Sequence, residues 1–327
     1  MLPFGLRFDL RNPAASGVDM ADRYRAALDM SAWADGLGAL FVTVPEHHGS
    51  EDGYLPSPLV MAAAIAARTS RCRISINALV APFHDPLRLA EDAAVVDLLS
   101  GGRPHLTPGG RYARHEVAVF GVPTSRRAAR GREAVATLRA AWTGEPFEHR
   151  GRTVRVRPVP AQPGGPRLVL GGSSEAAARR AARIADGFLP SEPEFWDHYR
   201  DECSVLGLPD PGAFPDVGTD VVVLAEDPAT AWDELLPCFV HEATGYGALR
   251  EDDGVATSYR TPADADEIRH GGKYRILTPD EYVDELRAAG PAAFVLLHPM
   301  VGGIPPAPAC GHLELFEHDV LPCFADA

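Results

Sequence analysis

The stretch RLVLGGSSEAAARRAARIADGFLP, residues 167–190, reads as one complete unit of a parallel α/β sheet. An apolar run over 167–171 has strand character, two glycines turn the chain, Ser173 or Ser174 can cap a helix, and 187–190 returns to a strand. The alanine-rich run EAAARRAARIA between them is helical. The same alternation recurs on either side. Short apolar runs at 4–9, 39–44, 73–80 and 104–107 precede this unit, and VVVLA (Val221 to Ala225) and AAFVLL (Ala292 to Leu297) follow it. Helices separate them, opened by Ser57 with Pro58, by Ser125, and by Thr278 with Pro279.

Eight βα units predict an α/β fold of the (β/α)8 TIM-barrel type with insertions after strands 4 and 7, in a single domain over 1–327. The first insertion, Pro146 to Pro166, alternates apolar and basic residues and then turns proline-rich, so it reads as an extended excursion. The second covers about 235–276; its polar, glycine-containing part from Thr244 to Tyr274 reads as a substrate-side lid.

Composition narrows the function. Hydrophobic residues make up 46% and charged residues 23%, enough apolar content for a full core. The net charge of −14 opposes binding to nucleic acid or an anionic membrane. The chain has no apolar run of the ~20 residues that a membrane helix needs, and the start MLPFGLRFDL lacks a basic region followed by an apolar run, so a cytoplasmic protein is expected. The five cysteines show no CxxC spacing, which points to reduced thiols and no metal centre. Lys273 is the only lysine. The helix over 57–69 is apolar on most faces, which predicts cover by a second subunit in a homodimer.

In such a fold the reactive groups follow the C-terminal ends of strands. Glu46, His47 and His48 directly follow LFVTV, where two imidazoles beside a carboxylate can position or deprotonate a substrate. Adjacent residues on a strand point apart, so His47 and His48 are poorly placed to share a metal ion. Gly171, Gly172, Ser173 and Ser174 form a glycine turn that delivers hydroxyls and amides to a helix N-terminus, a pattern shared by phosphate sites and by ordinary capped turns. After the fourth strand, Gly110, Arg111 and Tyr112 bring a guanidinium that can pair with phosphate and a ring that can stack. Phe8, His48 and Phe83, near strand ends, are candidate contacts for a hydrophobic substrate.

VPEHH (Val44 to His48), HDPLRLAEDAAVVDLLSGGR (His84 to Arg103), the glycine-arginine-tyrosine loop ending in Phe120 and Gly121, and GGSSEAAARRAARIADGF (Gly171 to Phe188) together resemble the bacterial luciferase-like flavin monooxygenases. TPDEYVDEL and HLELFEHDVLPCF are similar to the family's closing helices. The resemblance implies a dimeric (β/α)8 barrel that binds reduced FMN and uses dioxygen to oxygenate an organic substrate through a flavin C(4a)-hydroperoxide. It implies that His47 is the active-site histidine, that Asn77 and Ala78 form a non-prolyl cis peptide against the flavin ring, and that Ser173 and Ser174 contact the flavin phosphate. Many relatives read glycine-arginine-glycine-tyrosine after strand four, whereas this chain reads Gly109, Gly110, Arg111, Tyr112, with the arginine moved by one position. No GxGxxG follows a strand, so a separate flavin reductase is expected to supply the reduced cofactor. Two alternatives stand beside this reading. One is a deazaflavin-dependent oxidoreductase that transfers hydride, and the other is a non-catalytic flavin-binding protein of the same fold.

Overall fold

The computed structural model of the chain describes residues 2–109, 114–214, 220–251, 261–262 and 264–325. The first half runs β1 (Phe4–Arg7), α1 (Met20–Leu37), β2 (Phe41–Val44), α2 (Pro58–Arg68), β3 (Arg73–Leu79), α3 (Pro86–Ser100), β4 (Pro104–Pro108), α4 (Arg114–Phe120) and α5 (Arg127–Trp142). Next come β5 (Phe147–His149), β6 (Arg152–Val154), β7 (Arg167–Gly172), α6 (Glu175–Ile184), β8 (Gly187–Pro190) and α7 (Phe195–Val205). The chain continues through β9 (Val221–Leu224), α8 (Pro228–Glu251), α9 (Ala265–His270), β10 (Tyr274–Leu277), α10 (Pro279–Ala289), β11 (Val295–Leu297) and α11 (Pro306–Leu315). No helix among the described residues is long and apolar enough to cross a membrane. The chain gathers into two compact units, one of Met1–Thr43, His48–Pro56 and Val217–Ala327, the other of Val44–His47 and Ser57–Asp216.

In the first unit β1 pairs in parallel with β2 and with β11, placing Leu6 opposite Val42 and Leu297. Leu6, Val42, Val295 and Leu297 are buried, as strands covered on both faces require, and the Phe4 ring packs 5.2 Å from Phe316. Asp19 caps α1, and Arg23 on that helix is fully buried because its guanidinium donates to the carbonyls of Gly303 and Ile304 at 2.9 and 3.0 Å.

The strand expected at 221–225 forms, but it pairs with β10 in a separate two-stranded parallel sheet instead of serving as a seventh strand beside the others. β10 itself was not expected. Only Tyr274 and Ile276 of its four residues are buried, too short an alternation to register as a strand. The Tyr274 hydroxyl donates to the buried carboxylate of Glu242 on α8, and Lys273 Nζ lies 3.1 Å from the same group.

The lid expected from Thr244 onward also needs correction. α8 continues through Glu251 and α9 covers Ala265–His270; residues 252–260 and 263 lie outside the described residues. Gly245, which reads as a turn signal, serves packing. A Cβ there would stand 2.7 Å from Arg11 Nη1, and Arg11 is itself held by Asp52 at 2.7 Å.

The second unit is a parallel sheet in the order β3-β4-β7-β8, with Leu106 opposite both Ile76 and Leu168. The register shifts between Asn77 and Leu79, where the Asn77–Ala78 peptide is cis. Residues 146–166 hold an antiparallel hairpin, β5–β6, followed by a segment tied down by the buried Asp97, which accepts from the amides of Ala161 and Gln162 and from Gln162 Nε2. Pro58 opens α2 as read, but the side chain of Ser57 makes no capping bond, and α5 starts without the cap expected from Ser125. Asp85 caps α3 instead, accepting from the amides of Leu87 and Arg88. Arg103 closes the turn after α3 by donating to Thr69, Cys72 and Ser100.

Candidate active site

Three strand ends of the second unit meet its segment Val44–His47. β3 leads to Asn77, Ala78 and Val80, β4 to Gly109, and β7 to Gly171–Ser174, while Glu46 and His47 lie in that segment. Glycine allows the close approach. The Gly109 amide donates to the Leu79 carbonyl at 2.8 Å, and a Cβ on Gly109 would lie 3.1 Å from Ala78 Cβ. A Cβ on Gly171 would touch Thr107 Cγ2 at 3.6 Å and Gly109 Cα at 3.9 Å. At Gly172 a Cβ would clash with Ala177 Cβ at 2.5 Å, so the turn lies directly on the first turn of α6. Ser174 caps that helix, its Oγ accepting from the Ala177 amide at 3.3 Å.

Two carboxylate–imidazole pairs flank this convergence. Glu46 is 2% exposed, accepts from the Val80 amide through Oε2, and stands 2.8 Å from His84 Nε2 through Oε1. A carboxylate buried so deeply must be matched by donors, and these partners engage both of its oxygens. Glu46 is therefore placed to tie the segment after β2 to the end of β3. His47 keeps a quarter of its side-chain surface, and its Nδ1 lies 3.2 Å from Oε1 of Glu116, a carboxylate on α4 that is 1% exposed. Phe83 stacks on Phe120 of α4 with ring centres 4.5 Å apart and planes 13° apart.

The remaining candidates are placed as follows. Gly110, Arg111 and Tyr112 lie outside the described residues. Phe8, 1% exposed, is in the core of the first unit, with its amide on the Thr43 carbonyl at 3.0 Å. His48 is a half-buried residue of that same unit. Among the described residues no three His, Cys, Asp or Glu side chains are grouped to hold a metal ion.

Sequence reading places His84 past the third strand but takes it as a packed or exposed imidazole, and it missed Glu116 and Ser191. Glu116 gave one weak signal, an acidic residue directly before the apolar run VAVF. Ser191 gave none, and its buried Oγ has no hydrogen-bond partner among the described residues.

The sequence matches the luciferase-like monooxygenase model over residues 3–293, and the chain belongs to that family. The solved monooxygenase RslO1 from Streptomyces bottropensis is 26% identical and superposes with a TM-score of 0.74 over 99% of this chain and 100% of its own. The oxygenating constituent of 3,6-diketocamphane monooxygenase from Pseudomonas putida, solved with FMN, is 19% identical with a TM-score of 0.68, covering 98% of each chain, and so shares the fold. The F420-dependent glucose-6-phosphate dehydrogenase of Nocardia farcinica is 30% identical over 189 residues, which are 54% of this chain and 56% of that protein. The chain spans about half the length of the curated relatives it matches.

Proposed function

We propose that the protein is the oxygenating component of a flavin-dependent monooxygenase, acting on a hydrophobic organic substrate with reduced FMN from a separate reductase. The (β/α)8 barrel with its two insertions, the homodimer and a cytoplasmic location belong to the same proposal. The observation that carries it is the His47–Glu116 pair beside a glycine-serine turn in one unit.

The residues present fit a flavin phosphate. Small residues let the strand ends converge, Ser173 and Ser174 bring hydroxyls to the first turn of α6, and a buried hydroxyl at Ser191 has no partner among the described residues. When bound, reduced FMN supplies the electrons that activate dioxygen for transfer of one oxygen atom to the substrate. The chain's own residues do the rest. Ser173, Ser174 and the α6 amides would hold the phosphate, and Asn77 and Ala78 would line the ring's place. Glu116 holds the proton on His47 Nδ1, so that Nε2 is the atom that accepts or returns a proton in the site. Glu46 fixes the segment after β2 to the end of β3.

Anaerobic titration with reduced FMN, followed by admission of oxygen in a stopped-flow spectrophotometer, tests this reading. Tight binding and a long-lived oxygenated absorbance that decays faster in His47→Ala would support it. Release of hydrogen peroxide at the free-flavin rate would sink it.

A second reading rests on the identity to the deazaflavin-dependent dehydrogenase, because the same imidazole–carboxylate pair can serve hydride transfer by moving the substrate's hydroxyl proton. Preference for reduced deazaflavin in the parallel titration would favour it.

A further inference from the structure

We infer that the Ser191 hydroxyl is a third phosphoryl-binding hydroxyl beside Ser173 and Ser174; this rests on the flavin reading above. Ser191 directly follows β8, and its amide donates to the carbonyl of Gly172 at 2.9 Å, which clamps it to the turn that carries the two serines. The clamp is rigid on the other side as well, because Gly172 sits on Ala177 with no room for a side chain, and a Cβ there would also lie 3.3 Å from Phe188 Cε2. The Oγ of Ser191 is buried and meets no hydrogen-bonding group among the described residues. Ser174 differs, since its Oγ already accepts from the Ala177 amide.

A buried hydroxyl left unmet is unfavourable by ~1–3 kcal/mol, so a site that keeps one is matched to an acceptor that arrives from outside. The location selects the chemistry. Beside a helix N-terminus and two further hydroxyls, the acceptor that fits is an anionic phosphoryl oxygen, which takes several donors at once and is favoured by the helix dipole. The hydrogen bond is made only in the complex, so the residue contributes to affinity and not to the stability of the ligand-free fold.

The test compares wild type with Ser191→Ala and Ser191→Thr in three measurements: thermal unfolding of the ligand-free proteins, thermal shift with inorganic phosphate, and fluorescence titration with FMN and with riboflavin, which lacks the phosphate. The alanine variant is expected to keep or raise the ligand-free Tm, because it removes an unmet hydroxyl, to lose the shift produced by phosphate, and to bind FMN about tenfold more weakly with riboflavin binding unchanged. Threonine, which keeps the hydroxyl, should recover FMN affinity.

Equal FMN affinity in wild type and alanine variant overturns the inference, and so does an equal loss for riboflavin, which would place the contact on another part of the flavin. A lower ligand-free Tm in the alanine variant also overturns it, by showing a structural hydroxyl. If wild type binds no flavin but phosphate stabilises it in a Ser191-dependent way, the phosphoryl assignment stands and the flavin reading falls. If wild type responds to neither, both fall.

Discussion

Glu116 acts on His47 by holding one of its two nitrogens, and the tautomer of an imidazole is set by the hydrogen bond its other nitrogen makes. Glu116→Leu should therefore slow substrate oxygenation in single-turnover assays by roughly 10–100-fold while leaving FMN affinity intact, and Glu116→Gln should lose less. Equal rates in all three proteins would remove Glu116 from the site. Gly172 makes a steric counterpart. Its alanine variant would need more space than the 2.5 Å to Ala177 Cβ allows, so Gly172→Ala should lower stability to chemical denaturation by about 1–3 kcal/mol and weaken phosphate binding together. A variant as stable as wild type would show that the turn can lift off α6.

Among the elements, α8 sets local propensity against packing. Replacing a mid-helix glycine by alanine ordinarily stabilises a helix by about 1 kcal/mol. At Gly245 the new methyl would push on Arg11, whose guanidinium is 2.7 Å from Asp52 and lies 4.0 Å over the Tyr54 ring. Breaking a buried ion pair outweighs the propensity gain, so Gly245→Ala should lower the denaturation midpoint, and a raised midpoint would refute the packing argument. At α10 the opposite holds, since the Thr278–Glu281 capping box is local and complete; Thr278→Ala should destabilise by about 1 kcal/mol in the same assay.

The contrast explains what could be read in advance. Strands such as 73–79 and 167–172, and the start of α10, follow from local pattern and appear where expected. The separate β9–β10 sheet and the helical course of α8 depend on partners distant in the chain, namely Tyr274 on Glu242 and Arg11 on Gly245. The site divides in the same way. His47 and the glycine-serine turn stand directly after strands, whereas Glu116 reaches His47 across 69 positions of sequence.

For the molecule as a whole, acid is the expected point of weakness. His312 is 3% exposed, its Nδ1 accepts from the Leu224 amide at 2.8 Å, and burial pushes its pKa from 6.5 down to about 4. The native state thus keeps this imidazole neutral while the unfolded chain protonates it, so its contribution is complete above pH 6.5 and is lost as the pH falls towards 4. Burial, Arg7 and Lys273 push His298 in the same direction. Asp9 opposes them, because burial raises its carboxyl. Unfolding free energy should fall between pH 6.5 and 4, and His312→Asn, which keeps an acceptor for Leu224, should flatten that slope by up to about 1.4 kcal/mol per pH unit. An unchanged slope would show that His312 does not drive it.

The Lys273–Glu242 pair has a practical side. The sequence holds 31 basic residues, and all but one are arginines. Lys273 is partly open to solvent, with 32% of its side chain accessible. Amine-directed reagents thus find a single side-chain target, so any dye carried on a lysine of this protein sits at one known position, beside β10.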